Sequence, residues 1–347
     1  MWQEQINSIN SFAKLKEVFP SMQITQGMLD AEKLFHMAIT PYYASLIKTP
    51  DFSDPIFAQC VPSEKELLKT NWTSNDPLLE QESSPIPKLI RRYFDRALIL
   101  STSSCASYCR HCMRKRESSK CVESISASEL ADIASFLSKN PEIEDVLVSG
   151  GDPLTLEDDK IGGILKALEA VDSVKTIRIA TRVPVTMPMR ITDSLIKMMK
   201  IKKPVFVNTH FNHPVEITER AVFATGLFID NGIPVSNQTV LLNGVNDSPQ
   251  TIETLCRKLY RNRIRPYYLF QCDPVEGVEH FRTKLQTGID IMKYLRENLS
   301  GMAIPHFAVD IPNSGKIELL PDSIVESTDK YTVLMSSSNK KIIYPEP

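Results

Sequence analysis

The chain of 347 residues has no long hydrophobic run, and nothing in it approaches the roughly 20 apolar residues that a membrane-crossing helix needs. It has no excess of charge either. Lys and Arg number 40 and Asp and Glu 42, a formal net charge of −2, so no electrostatic argument favours nucleic acid or an acidic membrane as a partner. The first residues, Met1-Trp2-Gln3-Glu4-Gln5, lack the basic start and apolar core of an export signal. Cysteine is too sparse for a disulfide framework: seven is an odd number in a long chain, unlike the dense even sets of small secreted domains. Free thiols without an export signal point to a reducing cytoplasm. What remains is an ordinary composition, 42% hydrophobic and 24% charged, long enough for one large domain with appendages or for two.

Three of the seven cysteines fall in one short loop, Cys105-Ala-Ser-Tyr-Cys109-Arg-His-Cys112. Three thiolates this close can ligate three irons of a 4Fe-4S cluster, whose usual complement is four. No further cysteine follows within eight residues of Cys112, so a fourth iron is left open for chemistry. A zinc ribbon is the alternative. It needs a second Cys or His pair at similar spacing, whereas Cys60, Cys121, Cys256 and Cys272 are scattered.

Residues 1–90 read as a mostly helical N-terminal region of short helices and loops, punctuated by Pro50, Pro55, Pro62, Pro77, Pro85 and Pro87. The pattern then changes. Apolar runs at 97–100, 146–148, 177–180, 205–207, 239–242 and 267–270 alternate with helical periodicity near 127–139, 160–170, 192–200, 217–231, 249–262 and 286–298. Six alternations imply parallel strands with helical crossovers. The expected α/β fold is a partial (β/α)6 barrel of the TIM type over residues 91–300, with 301–347 as a short C-terminal segment. A doubly wound open sheet is the alternative. Polar clusters follow most of the strands: the cysteine loop, Ser149-Gly150-Gly151-Asp152, Thr181-Arg182, Asn208 to His213, and Gln271-Cys272-Asp273. In parallel barrels the loops at that end build the active site.

From about residue 37 onward the chain resembles the lysine 2,3-aminomutase family of radical S-adenosylmethionine (radical SAM) enzymes. The segments that carry the resemblance are Met37 to Tyr43, Cys105 to Cys112, Ser149 to Asp152, Asn208 to Pro214, Asn237-Gln238 with Leu241 to Asp247, Arg265 to Tyr268 and Glu279 to Thr283. The resemblance implies a radical SAM partial barrel. It implies an isomerase that interconverts α- and β-amino acids with a 4Fe-4S cluster, SAM and pyridoxal 5′-phosphate (PLP). Cys105, Cys109 and Cys112 would hold the cluster. Ser149, Gly150, Gly151, Asp152, Gln238 and His210 would border SAM, although Asp152 could equally cap a plain turn and His210 could be structural. Lys316, preceded by Gly315 and followed by Leu319-Leu320-Pro321, matches the lysine that carries PLP, in a loop altered by Asn313 and Ser314. Arg92, Tyr93, Arg96 and Arg182 match positions around its phosphate.

Substrate choice follows from the same comparison. Arg114 matches the partner of the substrate carboxylate, and Asp273 and Asp310 match the acids that receive the ε-ammonium of lysine. Two carboxylates facing one cavity repel each other unless a cation relieves them, so the expected substrate is L-lysine and the product β-lysine. An aminomutase for another amino acid, or a non-catalytic iron–sulfur or zinc protein, are the alternatives. The length, and Ser248 in place of a zinc-binding cysteine, resemble the shorter members without a zinc-binding tail, a group that makes β-lysine for modifying elongation factor P. A reducing partner such as flavodoxin or ferredoxin, and a homo-oligomer, are further implications.

Overall fold

The structure, a computed structural model, describes residues 2–6, 8–116, 123–312, 314–319, 324–328, 331–335 and 341–345. Cys121, Asn313, Leu320 and Pro321 lie outside the described residues. The N-terminal region holds four short helices, α1 (Phe12–Val18), α2 (Gln26–Leu34), α3 (Pro41–Ala44) and α4 (Pro55–Cys60). Each starts at a side-chain cap. Ser11, Thr25, Thr40 and Asp54 accept hydrogen bonds from first-turn N–H groups, and Pro41 and Pro55 open their helices where a missing N–H costs nothing.

Next come β1 (Leu89–Ile90) and β2 (Arg96–Thr102), followed by α5 (Ala127–Lys139), β3 (Asp145–Gly150), α6 (Asp158–Glu169), β4 (Thr176–Ala180) and a short α7 (Val183–Thr186). The alternation continues through α8 (Asp193–Met199), β5 (Val205–Thr209), α9 (Glu219–Asp230), β6 (Val235–Leu241), α10 (Pro249–Arg261), β7 (Arg265–Gln271), α11 (Leu285–Asn298) and β8 (His306–Ile311). β9 (Gly315–Glu318) returns antiparallel to β8. A separate antiparallel sheet contains β10 (Ile324–Ser327), β11 (Tyr331–Met335) and β12 (Lys341–Pro345).

Strands β2 to β8 pair in parallel in unbroken chain order, with β1 and β9 as antiparallel flanks. A doubly wound sheet would reverse its order at a switch point. This one does not, and it forms an open, partial barrel. Side chains alternate across it. Ala97, Ile99, Val146, Val148, Ile177, Ile179, Val205 and Val207 are buried in a core shared with Ile133, Leu137, Leu165, Leu195 and Phe228 of the helices. Leu98, Leu147, Arg178, Phe206, Ser236, Gln238, Tyr268 and Phe270 line a cavity on the other face. The same core takes in Phe12, Leu15, Met22, Tyr43 and Phe57 of the N-terminal region.

The six strands and six crossover helices lie where the apolar patterning placed them, with two differences. β6 begins at Val235 rather than Thr239, because Ser236 and Gln238 face the cavity and Asn237 is buried through bonds to the Phe211 backbone. β8 is a seventh parallel strand within the stretch read as a C-terminal segment. Only Phe307 and Ala308 of it are buried, so it shows no apolar run. Among the described residues no helix is long and apolar enough to cross a membrane.

Candidate active site

The cysteine loop is held from beneath by the N-terminal region. Tyr108 N donates to Ala38 O and Arg110 N to Gln59 O, both at 2.9 Å. Below them Glu66, fully buried, receives the Arg110 guanidinium and the Lys115 ammonium. Burial opposes ionisation of Glu66, but the charges of Arg110 and Lys115 outweigh it and hold the carboxyl below its usual range. Burial, aided by Arg110, brings Lys115 down to about 7. Breaking one partner out of such a buried cluster typically costs about 3–5 kcal/mol, so the loop rests on a stiff floor.

Every site residue expected from the sequence borders one cavity of about 630 Å³, within the range of small-molecule sites. Cys105, Cys109 and Cys112 share its wall. Burial first, then Asp152, raises the Cys105 thiol well above its usual value. Burial and then Cys109 lift Cys112 to about 11, so binding a metal here displaces protons. Among the described residues no three His, Cys, Asp or Glu side chains converge as one zinc ion would require.

Gly150, the last residue of β3, and Gly151 make room for the backbone that leads from β2 into the cysteine loop. A Cβ at Gly150, where φ is +130°, would sit 2.3 Å from Thr102 O, and one at Gly151 2.2 Å from Ser104 O. Asp152 is fully engaged inside the protein. Its Oδ1 accepts from Leu154 N and Thr181 Oγ1, and its Oδ2 from Arg182 N at 2.6 Å. Its carboxylate thus acts as a cap and a brace, while the residue itself still borders the cavity. The His210 ring, hydrogen-bonded to the Gln238 backbone, is pushed down to about 4 by burial and then by Arg182. Gln238 follows a register shift in β6 that re-aims the strand at the cavity.

Arg182 makes different contacts from Arg92, Tyr93 and Arg96. Arg92, Tyr93 and Arg96 stand together, with the Arg96 guanidinium 3.9 Å from the Tyr93 ring centre. Arg182 stands instead on the cysteine loop, where its Nη1 donates to Cys109 Sγ at 2.8 Å. Its Nη2 meets Gln59, Glu216 and Tyr43, and its Nε meets His210 O. Those bonds tie its guanidinium to the cysteine loop and to Glu216.

The hairpin of β8 and β9 puts Lys316 directly across from Asp310. Lys316 Nζ lies 3.6 Å from Asp310 Oδ2, 3.5 Å from Tyr93 Oη, and 5.7 Å from the Phe270 ring centre. Gly315 is needed at the turn: its φ is +71° and a Cβ would press on the Tyr93 ring at 3.0 Å. Arg92 Nη2 donates to Asp310 Oδ1 at 2.8 Å. Asp273 is raised to about 7, first by burial and then by the charge of Asp310. Arg114 makes a fork on Glu80, with Nε to Oε2 at 2.8 Å and Nη2 to Oε1 at 2.6 Å.

Two wall residues were missed. Glu80 sits in the aperiodic N-terminal region, where nothing marks it. Asn208 was visible only as part of the polar cluster after β5. Its Nδ2 is buried on the cavity wall with no hydrogen-bond partner among the described residues.

The sequence pattern of the Radical SAM superfamily matches residues 99–256. An L-lysine 2,3-aminomutase of Methanococcus maripaludis is 44% identical over 316 residues, 90% of this chain and 73% of that one. Another of that name, from Clostridium subterminale, is 40% identical over 349 aligned positions, 100% of this chain and 84% of that one. The chain belongs to the lysine 2,3-aminomutase family. A glutamate 2,3-aminomutase of Clostridioides difficile is 42% identical over 309 residues, 89% of this chain and 73% of that one, so identity within the family does not by itself separate lysine from glutamate. A radical SAM methyltransferase of Sphaerobacter thermophilus is a looser likeness, with TM-score 0.48 and 15% identity over 65% of this chain and 69% of that one, too distant to inform function.

Membership in this radical SAM family brings a 4Fe-4S cluster and SAM with it. The residues present suit both. Three thiols on one wall are the donor set for an iron–sulfur cluster with an open iron. The unpaired Asn208 amide, beside Gln238 and His210, offers a hydrogen bond to a polar ligand.

Proposed function

We propose that the chain is a PLP-dependent radical SAM isomerase that moves the α-amino group of L-lysine to the β-carbon, giving β-lysine. The observation that supports it is the gathering of the cysteine triplet, Lys316 and the acid pair Asp273 and Asp310 around one cavity. When bound, the cluster and SAM would supply radical hydrogen abstraction, and PLP would supply a carrier for the migrating nitrogen.

The chain's own residues bind and orient. Cys105, Cys109 and Cys112 hold the cluster, and Ser149, Gly150, Gly151, Asn208, His210 and Gln238 border SAM. Lys316 carries PLP, with Arg92, Tyr93 and Arg96 toward its phosphate. Arg114, its fork direction fixed by Glu80, takes the substrate carboxylate. Asp273 and Asp310 receive the ε-ammonium, a reading supported by the Lys316 ammonium 3.6 Å from Asp310 Oδ2. A side-chain carboxylate, as in glutamate, would instead add a third negative charge. The same reading carries an external one-electron donor of the flavodoxin or ferredoxin kind and a homo-oligomer.

The test is anaerobic reconstitution with iron, sulfide, PLP, SAM and a reductant, followed by chromatography of the β-amino acids formed from lysine and from glutamate. Conversion of lysine supports the proposal. Conversion of glutamate alone transfers the reading to that substrate, and no conversion by a chain with full iron and sulfide refutes it.

A further inference from the structure

Arg182 is buried, 8% exposed, with its guanidinium fixed on both sides. On one side Nη1 donates to Cys109 Sγ at 2.8 Å. On the other, Nη2 donates to Glu216 Oε1 at 2.8 Å, Gln59 Oε1 at 2.7 Å and Tyr43 Oη at 3.1 Å. Glu216 is itself pinned, since its Oε2 accepts from Asn212 N at 2.6 Å and His213 N at 3.0 Å, and its Oε1 from Tyr43 Oη at 2.7 Å. Four segments distant in the chain, around Tyr43, Gln59, Arg182 and Glu216, are thus spent on presenting one cation to one sulfur.

We propose that Arg182 is a positioning residue for the cluster, hydrogen-bonded to the Cys109 sulfur and setting the cluster's reduction potential, with Glu216 as its counter-charge. The inference rests on the reading of Cys105, Cys109 and Cys112 as cluster ligands. Reduction adds one electron to the cluster, taken from a low-potential one-electron donor. A cationic N–H on a ligand sulfur stabilises the added charge and raises the potential. Glu216 moderates that effect, since it returns a negative charge to the far side of the guanidinium. The two residues therefore act on the potential with opposite sign. A merely structural role would not produce this: loosening the network from either end would disturb the loop in the same way.

The experiment uses the whole chain reconstituted anaerobically, with Arg182→Gln, Arg182→Lys and Glu216→Gln beside the parent. Iron and sulfide are measured first, which tests the cluster reading separately. The midpoint potential is then read by electron paramagnetic resonance at stepped potentials. Arg182→Gln should need a lower potential for half-reduction than the parent, Arg182→Lys should fall between them, and Glu216→Gln should need a higher one. If loaded Arg182→Gln and Glu216→Gln shift in the same direction, or neither shifts, the proposal is overturned. Should both Arg182 variants lose iron, Glu216→Gln alone decides: a raised potential upholds the proposal and an unchanged or lowered one overturns it. A parent chain without iron and sulfide would overturn the cluster reading itself.

Discussion

Replacing Asp273 with asparagine should stabilise the chain while disabling it. The Asp273 carboxyl is raised from 3.8 to about 7, first by burial and then by Asp310. Its folded-state pKa lies above the unfolded one, so its contribution to stability is complete below pH 4 and is lost as pH rises through 7. A shift of about three units at about 1.4 kcal/mol each puts the penalty of the ionised form near 4 kcal/mol above pH 7. That figure is an upper bound, since Asp273 is half-buried at the edge of the cavity. Asparagine has the same shape and no charge. In urea denaturation without added amino acid, Asp273→Asn should exceed the parent by about 2–4 kcal/mol at pH 8, and by less than about 1 kcal/mol at pH 4. Lysine turnover should fall well over tenfold in the same protein. A variant no more stable than the parent at pH 8, or a difference that does not change with pH, would refute the reasoning.

Borohydride fixation of the PLP-loaded chain, followed by peptide mapping, should place the pyridoxyl group on Lys316, and Lys316→Ala should abolish the label while keeping full iron and sulfide content. Cys109→Ala should lose both full iron content and SAM cleavage, measured by iron assay and by chromatography of 5′-deoxyadenosine. Glu66→Ala removes the shared partner of Arg110 and Lys115 and should destabilise the chain by about 3–5 kcal/mol in a denaturant titration.

The barrel was legible because its outward strand face is written in Val, Ile and Ala, buried under helices of regular period, as with Val146 and Val148 or Ile177 and Ile179. β8 was not, because the site claims part of it: Asp310 faces the cavity and His306 faces solvent. The site residues were legible as a set through family resemblance, and the cavity gathers them. Their individual contacts were not. Glycines 150 and 151 were read as room for a ligand, and they also make room for the backbone of Thr102 and Ser104, which leads into the cysteine loop. The place of Arg182 depends on Tyr43, Gln59 and Glu216, three residues from segments whose meeting no local pattern announces. Asp310 was read as a partner for substrate alone, yet Arg92 and Lys316 both reach it.

The claim that the acid pair reads a cationic side chain has one most direct test: the ratio of kcat/KM for lysine to that for glutamate, in the reconstituted parent and in Asp310→Ala. Loss of one partner of a buried charge contact costs about 2–5 kcal/mol, or a factor of about thirty or more. The parent should favour lysine by at least about that factor, and Asp310→Ala should lose most of the preference through the lysine value. A parent that turns over the two amino acids equally well, or a variant whose ratio matches the parent's, would contradict the account.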